Sequence, residues 1–147
     1  MMESPDDNDP IVMSTMKIDP DEYSPIRTTS RYQSMLFSLA GIFYLIRRQR
    51  SIQILLAVTL VCLLLALWLE VPLALLLEMI VIIGIVWITE ALNTAIEAAV
   101  DVATQEIHPM AKVSKDVASG AALIATFLAT VVTLMILVPP LVDRLSN

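Results

Sequence analysis

Glycine, histidine and cysteine are scarce in this sequence, and their scarcity excludes several kinds of functional site. The three glycines of the 147-residue chain, Gly41, Gly84 and Gly120, are too far apart to form the glycine-rich phosphate-binding loop of P-loop or Rossmann proteins. The single histidine, His108, excludes any site that requires two histidines. The single cysteine, Cys62, excludes an intramolecular disulfide and a cysteine-rich zinc site.

Charged residues are also few. They make up 16% of the sequence, whereas an average soluble domain has about 25%. The nine basic residues mostly flank apolar segments, so we do not expect the protein to bind nucleic acid. Hydrophobic residues reach 57% although aromatic residues contribute only 5%. This composition is too apolar for a soluble globular protein and indicates a membrane protein.

The first 30 residues differ from the rest of the chain. They contain seven acidic residues, two basic residues and four prolines, without apolar periodicity. We therefore expect residues 1–30 to form a disordered, acidic arm. The arm lacks a basic segment followed by an apolar run, so it does not resemble a signal peptide.

Three apolar runs of 18 residues each, at 52–69, 71–88 and 121–138, contain one charged residue between them, Glu78. Each run is long enough to cross a hydrocarbon core of about 30 Å, allowing for flanking turns. A soluble bundle of three buried helices is the alternative, but the chain has too little polar surface to cover one. We predict membrane spans at about 50–69, 71–100 and 116–139, with the first two joined tightly through Glu70 and Pro72.

Residues 31–48 show a different apolar pattern, with spacings of three and four residues that predict an amphipathic helix lying in the membrane interface. The apolar positions are Tyr32, Met35, Leu36, Leu39, Ile42, Phe43 and Ile46. A helix packed only on protein is the alternative. The distribution of basic residues predicts that the acidic arm, this helix and the loop at 101–116 are cytoplasmic, with the C-terminus outside. These basic residues are Arg47, Arg48, Arg50, Lys112 and Lys115.

A stripe of polar residues extends the second span. No glycine or proline interrupts residues 89–101, and at 100° per residue Glu90, Asn93, Glu97 and Asp101 fall within about 80° of one helix face. A charged group in a membrane helix costs about 2.5–3.5 kcal/mol on insertion scales, which favours a functional role. A solvated helix end is the alternative, and it suits Asp101 well. Carboxylate and amide oxygens suit Mg²⁺, and a carboxylate without a metal can accept a proton from a hydroxyl group.

A second polar group, comprising Glu106, His108, Lys112, Lys115 and Asp116, lies between the second and third spans. A lysine can stabilise the charge on a transferring phosphoryl group. The alternatives are that Lys115 is only a topology anchor and that Asp116 is an N-cap or first-turn acid of the third helix. Together with the stripe, this group suits phosphoryl transfer at a membrane face.

These residues resemble the signature of the small prokaryotic diacylglycerol kinase/undecaprenol kinase family. The matching positions are Glu90-x-x-Asn93-Thr94-Ala95-Ile96-Glu97-x-x-Val100-Asp101, Glu106-x-His108 and Lys115-Asp116-x-Ala118-x-Gly120-Ala121. The resemblance covers about residues 31–140. It implies an all-α integral membrane protein, with an interfacial helix and three spans over residues 31–147, assembled as a homotrimer with active sites at subunit boundaries. It further implies a multi-pass enzyme of the bacterial inner membrane that transfers the γ-phosphate of MgATP to a lipid alcohol, diacylglycerol or undecaprenol.

The resemblance also implies roles for individual residues. Glu90 corresponds to the general base that faces the lipid hydroxyl, Glu97 to a metal-binding carboxylate, and Ser119 lies near the expected lipid head. The nucleotide-binding group comprises Asn93, Glu97, Glu106, His108, Lys115 and Asp116. Gln49 stands where the family commonly has a second metal-binding glutamate, so an amide replaces a carboxylate. Glu78 lies outside the signature; it is interpreted as a protonated acid hydrogen-bonded between helices, or as a polar-lipid or trimer contact.

Two other functions are weighed against a lipid kinase. A non-catalytic membrane assembly, or a degenerate kinase that serves as an interaction subunit, is favoured by Gln49 and disfavoured by the intact polar stripe. A lipid phosphatase would need basic and histidine motifs that one histidine cannot provide. The residues around Asn93-Thr94 and Lys115-Asp116 look more similar to undecaprenol-kinase-type relatives than to the Gram-negative diacylglycerol type.

Overall fold

The computed structural model describes residues 30–104, 106 and 108–146, and this part of the chain is entirely helical outside its short connections. The predicted acidic arm lies outside the described residues except for Ser30. The helices are α1 (Arg31–Arg48), α2 (Arg50–Trp68), α3 (Leu73–Ala103) and α4 (Pro109–Leu145). Within the described residues, α2, α3 and α4 are each long and apolar enough to cross a membrane. The predicted class, an all-α integral membrane protein, is confirmed.

A single residue separates α1 from α2. Gln49 adopts an extended backbone (φ −98°, ψ 114°) between the two helices. The side chain of Gln53 caps the end of α1, because its Nε2 donates to the carbonyl oxygens of Ile46 at 3.1 Å and Arg47 at 3.3 Å. The described residues bury no side chain of α1, and the interfacial position of this helix remains a prediction.

The turn between α2 and α3 closes the first hairpin, as its tight sequence predicts. The backbone N–H of Glu70 donates to Leu67 and that of Val71 donates to Ala66, the pattern of a Schellman helix end. Glu70 occupies the left-handed position of this motif, with φ 55°, where glycine is the usual residue. Pro72 follows and forms the N-cap of α3. We call this side of the helix bundle the Glu70 end.

Helices α3 and α4 form a closely packed antiparallel pair. The buried face of α4 is lined by alanines, which let the two backbones approach; these are Ala118, Ala122, Ala125 and Ala129. At the Glu70 end, α2 joins the pair through Ala66 and Leu69, which belong to one buried cluster with Met79, Ile136 and Leu137. Further from that end, Leu55 of α2 packs against a second buried cluster that α3 and α4 form. This arrangement holds the Glu70 end together and leaves the polar stripe at the opposite end of α3.

Polar side-chain contacts also connect α2 to its neighbours at two places in the described part of the chain. Trp87 on α3 donates through Nε1 to the Oγ1 of Thr59 at 3.1 Å. At the Glu70 end, the guanidinium of Arg144 lies 4.7 Å from the centroid of the Trp68 ring and donates to the Trp68 carbonyl at 3.0 Å. Arg144 therefore fastens the end of α4 to the end of α2.

Helix α4 is longer than the span predicted at 116–139. It begins at Pro109, because His108 provides an N-cap and proline is favourable at the first helical position. It also continues through Pro139 and Pro140, as membrane helices allow when neighbouring helices support the backbone. Asp116 consequently lies two turns inside the helix, so the interpretation of Asp116 as an N-cap or first-turn residue is wrong.

Glu78 is exposed on α3, and its carboxylate makes no hydrogen bond or ion pair with the described residues. An acid hydrogen-bonded between helices of the same chain is therefore not what is found. A contact with a polar lipid or with another subunit remains a prediction for this residue.

Candidate functional site

The polar stripe of α3 forms as the helical spacing predicts. The helix runs without a break from Leu73 to Ala103, and Asn93 donates through Nδ2 to the Oε1 of Glu97 at 3.1 Å. This contact is the i, i+4 neighbour relation expected of one helix face. Glu90 lies about one turn from Asn93, is partly buried, and its carboxylate has no hydrogen-bond or ion-pair partner among the described residues.

One oxygen in the stripe lacks a partner. The Oδ1 of Asn93 is buried and accepts no hydrogen bond within the described residues. A buried amide oxygen without a donor is unfavourable by about 1–3 kcal/mol, so we expect an occupant that supplies a donor or a cation. Beside it, Glu97 is engaged by only the one hydrogen bond from Asn93. The two side chains therefore present adjacent hard oxygens.

The connection between α3 and α4 gathers the second polar group. Thr104 ends α3 in an extended conformation, and its Oγ1 accepts the backbone N–H of Glu106 at 3.2 Å. His108 starts α4, and its Nδ1 accepts the backbone N–H of Met110 at 3.2 Å. Because both ends of this short connection are hydrogen-bonded locally, the side chains of Glu106 and His108 are held beside the first turns of α4.

A pocket of about 240 Å³ lies in this connection. It brings together four of the six predicted nucleotide-binding residues, Glu106, His108, Lys115 and Asp116; the other two, Asn93 and Glu97, do not line it. Sequence reasoning missed one further member of its lining, Thr104, and gave Lys112 and Asp101 no binding role there. We call it the loop pocket. Its lining carries both charge signs, with hydroxyl and imidazole groups, which is the chemistry needed to bind a polar, phosphorylated ligand.

Both lysines of the loop pocket are engaged in ion pairs. Lys115 on α4 pairs with the Oδ1 of Asp101 on α3, and Lys112 pairs with Asp116 one turn along α4. The sequence did not indicate the first pair, since its members lie 14 residues apart on different helices. Asp101 and the Asp116 carboxylate are largely exposed, at 66% and 62% of their side chains, so both pairs are weak and a phosphate could displace them.

Mg²⁺ is the metal that the resemblance implies, and the candidate ligands for it are the side chains of Asn93 and Glu97. Among residues 30–104, 106 and 108–146, no group of three or more His, Cys, Asp or Glu lies close enough to form a metal site by itself. Mg²⁺ does not need one, because it is usually held by one or two carboxylates, water and the substrate phosphates. The free oxygens of Glu97 and Asn93 fit this mode of binding.

Two predicted site residues lie outside these groups. Gln49 is partly buried at the start of α2, and its side chain makes no capping hydrogen bond. Ser119 is exposed on α4, one turn after Asp116. Neither lines the loop pocket. The structure therefore brings four of the predicted nucleotide residues together in the loop pocket and places the other two, Asn93 and Glu97, with Glu90 in a separate group further along α3.

Comparisons with known proteins identify the family of this chain. Residues 36–137 match the family model described as prokaryotic diacylglycerol kinase. The chain is 31% identical over 110 residues to an undecaprenol kinase of Bacillus subtilis, covering 75% of this chain and 89% of that protein. It is 38% identical over 84 residues to a diacylglycerol kinase of Escherichia coli, covering 57% of this chain and 65% of that protein. A diacylglycerol kinase of Synechocystis is 45% identical over 60 residues, which span 40% of this chain and 34% of that protein.

Proposed function

The chain belongs to the prokaryotic diacylglycerol kinase family, a family of lipid kinases, and we propose that it transfers the γ-phosphate of ATP to the hydroxyl group of a membrane lipid at the cytoplasmic face. The observation that carries this proposal is the division of polar residues along α3 and α4. A cation-bearing loop pocket suits the nucleotide, and an unpaired carboxylate, Glu90, lies towards the apolar part of the same helix.

The proposed mechanism gives each group one task. The loop pocket binds ATP, with Lys115 leaving Asp101 to contact a phosphate, and Glu106, His108 and Asp116 holding the rest of the nucleotide. Mg²⁺, held by Glu97 and Asn93, would neutralise negative charge on the polyphosphate. Glu90 takes the proton of the lipid hydroxyl as that oxygen attacks the γ-phosphorus, while the bond from the γ-phosphorus to the β,γ-bridging oxygen breaks and ADP leaves. Ser119 contacts the lipid head.

The separation between Glu90 and the loop pocket is a reason to expect that more than one chain forms each active site. Glu90 and Asp101 are eleven residues apart, or about 16 Å along α3, so one nucleotide must span from the loop pocket towards Glu90. We propose that the protein acts as a homotrimer in the bacterial inner membrane, with the site completed at subunit boundaries. The proposed topology has α1 in the interface and the C-terminus outside.

The acceptor is tested by competition. Purified full-length protein in mixed micelles is given ATP with equimolar diacylglycerol and undecaprenol, and the phosphorylated lipids are separated by mass spectrometry. We expect one product to dominate, and undecaprenyl phosphate is the product favoured by the relative matched over most of its length. Exclusive formation of phosphatidic acid would contradict that choice of acceptor.

Gln49 provides a test of the metal site. We expect the wild-type protein to need a high free Mg²⁺ concentration, because an amide contributes no charge to a metal ligand set. Gln49→Glu should lower the midpoint of a Mg²⁺ titration of lipid phosphorylation at saturating ATP. Gln53→Glu is the matched control, since Gln53 caps α1 and should not shift the midpoint downwards. Equal midpoints for wild type and Gln49→Glu would mean that position 49 does not contact the metal.

The acidic arm is expected to be dispensable for catalysis. None of the proposed site residues lies within positions 1–28, so deleting these residues should leave the rate of lipid phosphorylation in detergent within about twofold, as for changes remote from a site. Size-exclusion chromatography with light scattering should give the same number of subunits for both forms. A loss of assembly in the truncated form would show that the arm contributes to it.

A further inference from the structure

One face of α3 is left exposed by the described residues of the chain. Met79, Val86 and Thr94 are buried against the other helices, and they lie on the opposite side of α3. The exposed face runs the length of the helix and contains nine positions: Ala74, Glu78, Val81, Ile85, Ile88, Leu92, Ala95, Ala99 and Val102. We call these nine positions the α3 seam.

The spacing of the α3 seam is that of a helix packed against another helix. Its positions alternate steps of four and three residues from Ala74 to Val102. The average step of about 3.5 residues is the heptad period of left-handed helix bundles, from which a straight helix drifts by about 20° per heptad. Alanine at 74, 95 and 99 also lets two backbones approach within a membrane. The spacing therefore favours another helix over lipid as the neighbour of this face.

Glu78 is the one charged residue of the seam, and its own chain offers it no partner. Its carboxylate makes no hydrogen bond or ion pair with the described residues. At its level Met79 packs against residues 63–69 of α2 and 132–141 of α4, and neither segment contains a charged side chain. The charged residues of this end of the bundle lie beyond both segments; they are Glu70, Asp143 and Arg144. Because ionisable residues within spans almost always pair, the partner of Glu78 belongs to another molecule.

Membrane topology decides which residue of a second copy reaches Glu78. The basic residues give every copy the same orientation, so copies assemble around an axis perpendicular to the membrane with their α3 helices parallel. Identical seam positions of parallel helices then lie at the same level. The seam is about 40 Å long and a helix is about 10 Å wide, so contacts with two neighbours cover about 800 Å² per copy, the area of a stable interface.

From this arrangement we infer that Glu78 pairs with the Glu78 side chains of the other copies across the α3 seam, through a shared proton. The inference rests on the proposed homotrimer, though not on the reaction that it catalyses. Ionised carboxylates at one level of an apolar seam would repel one another, whereas a protonated carboxyl donates a hydrogen bond to a neighbouring carboxylate. Glu78 thereby fixes the register of the helices and makes assembly depend on a proton that separated copies release.

The shared proton is tested by the pH dependence of assembly. Full-length wild type and Glu78→Gln in a neutral detergent are diluted at pH 6.5 to 9.5, and the number of subunits is measured by size-exclusion chromatography with light scattering. An ordinary exposed glutamate is ionised throughout this range. For the wild type we expect association to weaken at alkaline pH, approaching about tenfold per pH unit for each shared proton.

Glu78→Gln separates this effect from every other group that titrates in the same range. The amide donates and accepts hydrogen bonds without an exchangeable charge, so the variant should stay assembled across the whole series. Glu70→Gln is the matched control, since it makes the same substitution at the turn outside the seam, and it should behave as the wild type. Equal pH dependence of the wild type and Glu78→Gln would overturn the shared proton.

Cross-linking tests the seam without altering Glu78. In a Cys62→Ala background, Val81→Cys places a thiol on the seam, whereas Ile80→Cys places one about 100° away on the same helix; both positions are exposed. Oxidation at pH 6.5 should give a disulfide-linked dimer with Val81→Cys and little with Ile80→Cys. Absence of this dimer from an assembled protein would overturn the seam and leave lipid as the contact of Glu78. A wild type that is monomeric at every pH yet phosphorylates lipid would overturn the homotrimer and this inference, with the kinase function intact.

Discussion

Glu90→Gln is expected to reduce lipid phosphorylation by about 10²–10⁴-fold, the contribution typical of a general base. The amide keeps the size of the side chain but cannot accept the proton of the lipid hydroxyl. Because Glu90 lies well away from the loop pocket, the variant should bind MgATP with nearly wild-type affinity. Steady-state phosphorylation of lipid and equilibrium binding of a fluorescent ATP analogue measure the two properties separately.

Glu78→Gln is the matched control for this variant. It makes the same substitution on the same helix, at an exposed position whose carboxylate has no partner in the described residues. We expect its turnover to remain close to wild type. If nucleotide affinity falls together with turnover in Glu90→Gln, then Glu90 holds the metal or nucleotide and is not the base.

Lys115→Ala should have the second-largest effect. Loss of a charge-assisted contact to phosphate is worth about 1.5–3 kcal/mol, which corresponds to a decrease in kcat/KM for ATP of about tenfold to a hundredfold. Lys115→Ala also removes the exposed ion pair with Asp101. Losing this pair should lower the free energy of unfolding only slightly, because exposed pairs contribute about 0–1 kcal/mol. The measurement is the dependence of lipid phosphorylation on ATP concentration.

Lys112→Ala controls for charge and for ion-pair loss in the same pocket. Lys112 also lies on α4 and also pairs with a carboxylate, that of Asp116, but no phosphate contact is proposed for it. We expect a decrease of less than fivefold, within the range of a weak surface pair. Equal ATP kinetics for Lys115→Ala and wild type would mean that Lys115 only anchors the topology.

The helices and the polar stripe were predictable because they depend on local order along the chain. Long apolar runs specify spans, and an uninterrupted helix places Glu90, Asn93 and Glu97 on one face without reference to other helices. The hydrogen bond between Asn93 and Glu97 confirms this spacing directly.

Contacts between helices were much less predictable. The pair of Asp101 with Lys115 depends on how the connection folds back, which no spacing rule fixes. The start of α4 at Pro109 did have a local signal, because His108 is followed by proline. It was not predicted, since the span was placed from its apolar residues alone.

The most direct test of the proposed function follows the γ-phosphate itself. Purified full-length protein is incubated in mixed micelles with ATP labelled in the γ-phosphate, Mg²⁺ and either undecaprenol or diacylglycerol, alongside Glu90→Gln, and the organic extract is counted. We predict that label enters a phosphorylated lipid with the wild type and is reduced at least about a hundredfold with the variant. Label that stays in ATP or appears only as inorganic phosphate, with both acceptors, would contradict a lipid kinase and favour a non-catalytic membrane assembly.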